Sequence, residues 1–166
     1  MNIRMNKTFC HADILNIFPW LKARTLISWT ERGLIHPLLD AAGRGSSRVY
    51  SYTNLIEIGI LNELLRYGIP FSLIQVAMRS EALQIVLKAD KWESIFWINQ
   101  ELSLADVPMD KAPPFFSLYG IIPVDEFLRN GGKLILKSKE ITSAIIINIS
   151  SLKAFIDGRI KKMKFF

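Results

Sequence analysis

Residues 22–50 concentrate side chains whose types and spacing suit recognition of an anionic polymer. Arginine can donate two parallel hydrogen bonds to guanine or pair with a phosphate, and small hydroxyl residues allow a helix to enter a groove. The candidate contacts lie first on a helix-like stretch and then in a loop rich in Gly, Ser and Arg. They are Lys22, Arg24, Thr25, Ser28, Trp29, Arg32, Arg44, Arg48 and Tyr50. This arrangement indicates nucleic-acid binding rather than catalysis.

The stretch 22–31 predicts a helix with two different sides. Leu26 and Trp29 are three residues apart, so they share one side and are expected to pack against a partner helix. Gly33 follows where a left-handed capping residue ends a helix. Four polar residues remain to face outward: Arg24, Thr25, Ser28 and Arg32. An ordinary amphipathic helix with solvated arginines stays open as the alternative.

The segment 36–50, called the basic loop below, cannot continue as a helix through Pro37 and the glycines at 43 and 45. Arg48-Val49-Tyr50 has strand character, so a two-stranded ribbon with a flexible basic tip is predicted. Arg44 and Arg48 supply charge there. Contacts from such a tip to phosphates fix register without reading sequence. A solvated hairpin tip, or a loop that holds another anion, is the alternative. A phosphate-loop fingerprint is excluded because no strand precedes the glycines.

A further helix is predicted after this loop, at about residues 52–67, with Ser51 as its N-cap. Its expected buried positions are Leu55, Ile58, Leu61 and Leu65.

In their order and spacing, these features are similar to the DNA-binding domain of MerR-family transcription regulators. The pattern comprises Arg24-Thr25-Leu26, Trp29, Glu31, Gly33-Leu34-Ile35, Arg48-Val49-Tyr50-Ser51, a helix, Gly68 and Phe71-Ser72-Leu73, and it covers about residues 8–80. The resemblance implies a winged helix-turn-helix that binds duplex DNA as a dimer. It also implies recognition-helix contacts from Arg24, Thr25 and Trp29, and wing contacts to the backbone from Arg48 and Tyr50.

The chain departs from the family pattern at several points. Lys22 stands where a small capping residue is usual, and Phe18-Pro19-Trp20 replaces a glycine turn. Residues 81–90 are too short for the family's long dimerisation helix. Effector-binding cysteines are absent, so a metal or redox sensor is not expected.

The composition of the chain limits the classes of protein to which it can belong. The chain has 166 residues, a net charge of +6, an isoelectric point near 9.6 and 50% hydrophobic residues, so a packed core and an anionic partner are both plausible. Cys10 is its single cysteine, which excludes an intrachain disulfide and fits a reducing cytoplasm. The start does not resemble a signal peptide, and no apolar run approaches the ~20 residues that span a bilayer. A soluble, cytoplasmic protein with no membrane partner is expected.

The second half changes from helical to strand-like periodicity near residue 90. Strands are predicted at 94–99, 115–119, 133–137 and 143–149, and helices at 124–129 and 151–162. The last helix carries an apolar stripe, Leu152, Phe155, Ile156 and Ile160. The predicted fold class is α+β. Residues 1–89 form a winged helix-turn-helix domain, and residues 90–166 form a small α+β domain for dimerisation, sensing or partner binding. That second domain contains an antiparallel sheet and a C-terminal helix.

The resulting hypothesis is a sequence-specific, dimeric, duplex-DNA-binding transcription regulator with an unknown small-molecule or protein effector. A winged-helix protein–protein adaptor without DNA binding and an excisionase-like DNA-bending factor are the alternatives. We expect no enzymatic activity, cofactor or metal. Cys10 and His11 are adjacent but no second cluster completes a site, and Asp125-Glu126 is a carboxylate pair suited to a helix start.

Overall fold

The computed structural model describes residues 7–40, 47–79, 81–88, 94–99, 118–131, 133–136, 139–141 and 145–163, and the statements below concern these residues. They form a mixture of helices and short antiparallel strands, as expected for an α+β fold. In chain order the elements are β1 (Thr8–Phe9), α1 (His11–Ile17), α2 (Ala23–Glu31), β2 (Tyr50–Ser51), α3 (Tyr52–Arg66), α4 (Phe71–Met78), α5 (Glu81–Lys88), β3 (Ser94–Asn99), β4 (Leu118–Pro123), α6 (Val124–Arg129), β5 (Leu134–Leu136), β6 (Lys139–Ile141), β7 (Ile145–Asn148) and α7 (Ile149–Met163).

The chain divides into two compact units. The first contains Met1–Arg66 together with Ser151–Phe166, and the second contains Tyr67–Ser150. These limits differ from the division predicted at 89/90 in two ways: α4 and α5 belong to the second unit, and the C-terminal helix belongs to the first. No described helix is both long and apolar enough to cross a membrane.

Local signals fix the ends of α1 and α2. The backbone N–H of Cys10 donates to the Asp13 carboxylate over 2.7 Å, which satisfies a donor at the start of α1. At the end of α2, the N–H of Leu34 donates to the Trp29 carbonyl and the N–H of Gly33 donates to the Thr30 carbonyl. Gly33 has a φ of 66°, so this is a Schellman motif closed by glycine, and the predicted cap is confirmed.

The start of α3 is capped by reciprocal hydrogen bonds. The Ser51 hydroxyl accepts from the backbone N–H of Asn54, and the Asn54 side-chain oxygen accepts from the backbone N–H of Ser51. Ser51 was predicted as this N-cap, and the prediction is confirmed. The Asn54 amide also donates to the carbonyl of His36 over 3.0 Å, which ties the beginning of the basic loop to α3.

Helix α3 is the buried centre of the first unit. The predicted apolar positions Leu55, Ile58 and Leu61 are completely buried. The next buried position is Leu64 rather than the predicted Leu65, which is half-buried. Apolar residues lie on several sides of this helix, so its neighbours must cover more than one stripe.

The C-terminal helix α7 packs within this first unit. The Tyr52 hydroxyl lies 3.1 Å from the Asp157 carboxylate, and the rings of Phe18 and Phe155 are 6.3 Å apart. Gly59 of α3 faces Leu152, whose Cδ1 would lie 2.6 Å from any Cβ added to the glycine. Glycine at this position therefore permits the close approach of two helices that are far apart in sequence.

The second unit contains a three-stranded antiparallel sheet in the order β4-β3-β7 and a separate β5–β6 hairpin. Among the strand side chains whose burial the structure describes, Phe96, Ile122 and Ile147 are buried. The strand predicted at 115–119 occurs later, because β3 pairs with Leu118–Pro123 along its whole length; residues 115–117 lie outside the described part. Strand β6 was not predicted, because Lys139-Glu140-Ile141 contains a single apolar residue and therefore shows no alternation. Helix α6 lies where it was predicted, at Val124–Arg129.

Candidate nucleic-acid interface

Helix α2 has one buried side and one exposed side, as the sequence predicted. Leu26 is completely buried and Trp29 is 6% exposed, which confirms that these two residues pack inward. Arg24 is exposed, while Thr25 and Ser28 are half-buried beside it. Arg32 is exposed at the C-cap. The outward side of α2 is therefore polar and carries a basic residue in its first turn.

The charges at the start of α2 favour an anionic ligand. Lys22 is the N-cap and makes no side-chain capping hydrogen bond, and the first turn contains Arg24 but no acidic residue. The positive end of the helix dipole lies at this terminus, so the positive charges of Lys22 and Arg24 are unfavourable for the isolated helix. An anion placed at the same terminus would be attracted both by the side chains and by the backbone N–H groups.

The base of the basic loop is closed by a backbone pair. Leu39 and Val49 exchange two hydrogen bonds of 3.2 and 2.9 Å, and β1 pairs with β2 immediately beyond, with Phe9 opposite Tyr50. The strand character predicted for Arg48-Val49-Tyr50 is thus confirmed from Val49 onward. The predicted tip, including Arg44, lies outside the described residues.

Arg48 is held at this base by an ion pair. Its Nε donates to the Asp40 carboxylate over 2.7 Å, and its side chain is 20% exposed. The hydrogen bond to Asp40 is the main reason that the pKa of Arg48 is raised, and Glu31 at the end of α2 adds a smaller attraction. Arg48 thus lies in the electrostatic field of α2, with part of its charge neutralised by Asp40.

Two of the sequence-derived contact residues belong to the core. Tyr50 is completely buried, and its hydroxyl lies 3.5 Å from the Thr30 hydroxyl. Trp29 is buried on the inward side of α2. Neither side chain has a surface to offer a phosphate or a base, so the contact roles implied by the family resemblance are replaced by structural ones. The physical reason is direct: the tyrosine at this strand position points inward, towards α2.

Sequence reasoning missed three residues of this surface. Ile27 is 36% exposed between Arg24 and Glu31 on the outward side of α2, and its spacing could have revealed it. Asp40 was missed because its pairing with Arg48 depends on how the loop closes. His11 was dismissed as structural, yet it lies close enough to Arg48 to be affected by its charge.

The pH dependence of His11 gives a first testable expectation. Burial, and secondarily the positive charge of Arg48, lower the pKa of His11 below its usual 6.5. The unfolded chain therefore binds a proton at His11 more readily than the folded chain does. The contribution of His11 to the stability of the fold is fully present above pH 6.5 and is lost as the pH falls towards the lowered pKa. We expect Arg48→Gln to raise the pKa of His11 in an NMR titration. Bound phosphate near Arg48 should raise it as well. An unchanged pKa in the Arg48→Gln variant would contradict the proximity of the two groups.

The other candidates for chemistry do not assemble into a site. Within the described ranges, no group of three or more His, Cys, Asp and Glu side chains could hold a metal ion. Cys10 is exposed. Asp125 pairs with Arg129 over 3.1 Å along the surface of α6, which is the ordinary role of a carboxylate at a helix start.

Neither protein-family models nor curated proteins give a match to this chain.

Proposed function

We propose that this protein is a sequence-specific duplex-DNA-binding transcription regulator of MerR-like type. In this proposal α1 and α2 form a helix-turn-helix and the basic loop forms the wing. The observation that carries the proposal is the two-sided character of α2: Leu26 and Trp29 lock one side into the core, while Lys22 and Arg24 place cations at its exposed N-terminus. A helix pinned in this way can enter a major groove with its first turn leading.

The proposed contacts have different tasks. Arg24, Thr25 and Ser28 lie on the outward or flanking side of α2 and would face base edges, whereas Lys22, Arg32, Arg44 and Arg48 would face phosphates. Trp29 and Tyr50 support the helix and the loop from the core. Phosphate contacts position the protein and base contacts discriminate between sequences, so the two sets can be separated by experiment.

Replacing Arg24 by Gln is expected to relax discrimination between a selected duplex and random duplex by about 1–3 kcal/mol. Replacing Arg48 by Gln should weaken all duplexes to a similar degree. Asp40→Asn should strengthen them, because it releases the charge of Arg48 from its ion pair. The measurement is a fluorescence anisotropy titration with a duplex selected from a random pool and with a scrambled duplex.

Arg66→Gln is the matched control for these changes. Arg66 is exposed at the end of α3 and pairs only loosely with Glu63, at 3.8 Å, so its loss removes the same charge from a residue outside the proposed contacts. We expect the control to bind as the unmodified protein does. If Arg24→Gln and Arg48→Gln act alike on selected and random DNA, α2 is not the recognition helix.

A protein–protein adaptor is the second candidate function, and exposed apolar residues favour it. Leu38 and Leu39 are 59% and 62% exposed at the base of the loop, and Ile27 is exposed on α2. Exposed apolar side chains of this kind are more typical of a protein interface than of a phosphate contact. Correctly folded protein without duplex affinity at low salt would favour this alternative.

We also infer that the regulator acts as a dimer. One winged helix reads only a few base pairs, and specific affinity usually comes from two modules on half-sites about one helical turn apart. Sedimentation of the full-length chain tests this inference directly. A monomer at tens of micromolar, in the absence and presence of the selected duplex, would contradict it.

A further inference from the structure

The surface next to the start of α2 contains an unusual pair of exposed aromatic side chains. Trp20 is 50% exposed and Phe155 of α7 is 37% exposed, and their ring centroids lie 5.7 Å apart. The guanidinium carbon of Arg159 lies 5.5 Å from the centroid of the Phe155 ring. A cation stacked in this way is held in place before any ligand arrives.

This cluster continues as a basic stripe along α7. Phe155, Arg159 and Lys162 follow at i, i+4 and i+7, so they lie on one side of the helix. Helix α7 carries Lys153, Arg159, Lys161 and Lys162 against Asp157, a net charge of +3. Lys162 is exposed. Arg159 and Lys162 are about 4.5 Å apart along α7 at ~1.5 Å per residue, so their side chains can reach two neighbouring phosphates of a DNA backbone.

The stripe lies beside the interface of the proposed function. Trp20 precedes Lys22 by two residues, so their Cα atoms are at most about 7.6 Å apart at ~3.8 Å per step. Because the Trp20 ring contacts Phe155, the C-terminal helix reaches the neighbourhood of the first turn of α2. The two cationic surfaces, Lys22–Arg24 and Arg159–Lys162, are joined by this aromatic contact.

We propose that α7 supplies a third contact with duplex DNA, in which Arg159 and Lys162 bind backbone phosphates beside the groove entered by α2. Trp20 and Phe155 hold the stripe in position. The contact is independent of base sequence, and it would anchor the C-terminal end of the chain on the DNA. This inference rests on the proposed function. It adds to that function a surface that lies outside the helix-turn-helix and the loop.

The test uses the full-length protein and a mixed-sequence duplex, since no base is read. Arg159→Gln with Lys162→Gln should weaken binding on the order of ten-fold and reduce the slope of log K against log salt by about 1.8 per protomer, which is ~0.9 for each lost phosphate contact. Lys161→Gln removes the same type of charge about a third of a turn away from the stripe, and it is expected to leave the slope of the unmodified protein unchanged. Arg159→Lys should retain the slope because it retains the charge.

Three outcomes overturn the inference in distinguishable ways. A double variant with the salt slope of the unmodified protein overturns the α7 contact and leaves the proposed function in place. Absence of duplex binding by the unmodified protein overturns both. A double variant whose slope is unchanged but whose mass falls in light scattering shows that the stripe pairs two copies of the chain instead. Circular dichroism verifies that each variant is folded.

Discussion

Removal of residues 151–166 is expected to unfold the first compact unit at ordinary temperature. Leu152, Ile156 and Ile160 of α7 are buried or half-buried, and their loss withdraws about 1.5–3 kcal/mol each from the free energy of unfolding. Exposure of the residues beneath them adds to this cost. A domain of this size is stable by about 5–15 kcal/mol in total, so the loss is of the same order as the whole stability. The measurement is the dispersion of amide signals from the first unit in an NMR spectrum of the truncated chain.

Point variants test the packing of α7 without shortening the chain. Ile156→Ala should cost about 2–5 kcal/mol, because Ile156 is completely buried. Gly59→Val should cost about 1–3 kcal/mol, because the new valine side chain would collide with Leu152 where α3 packs against α7. Lys161→Ala, at an exposed position on the same helix, should stay within about 0.5 kcal/mol. A truncated chain with native signals for Trp20 and Trp29 would show that α7 is dispensable for the first unit.

Affinity for the selected duplex is expected to fall about ten-thousand-fold between 50 and 200 mM salt, the result for about eight neutralised phosphates. The four cations of each protomer that would face phosphates contribute to this fall, and they are Lys22, Arg32, Arg44 and Arg48. Each one displaces a condensed counterion from the DNA, and added salt opposes that release. An anisotropy titration across salt concentrations measures the slope.

Lys22→Gln with Arg48→Gln should make this slope shallower, while Arg66→Gln should not change it. An adaptor that meets its partner through Ile27, Leu38 and Leu39 would behave differently, because burial of apolar surface depends little on salt at these concentrations. A flat salt dependence for a folded protein that binds duplex would therefore argue against phosphate contacts as the basis of its affinity.

The sequence alone located the helix ends of the first unit. Gly33 and Ser51 were predicted as caps, and both act as caps through hydrogen bonds that join residues three to five positions apart. The inward side of α2 was predicted from the spacing of Leu26 and Trp29. Such features depend on neighbours along the chain, so a local pattern is sufficient to predict them.

The sequence also separated the two kinds of secondary structure. Strands β3 and β7 and helix α6 lie within the predicted ranges, since alternation and glycine caps mark them locally. It did not place β4 correctly or reveal β6. The limits of β4 and β6 are set by hydrogen bonds to another strand, and the sequence of a short strand does not show where its partner pairs with it.

Only the tertiary structure decided which candidate contacts are available. Tyr50 and Trp29 are buried, while Arg48 is engaged by Asp40; the residue types alone are equally compatible with exposed, unpaired side chains. The position of α7 was likewise hidden, because the hydrogen bond between Tyr52 and Asp157 joins residues 105 positions apart. An apolar stripe shows that a helix packs against something, but the identity of that partner depends on shape. Here Gly59 provides the close approach that brings α7 back to the first unit.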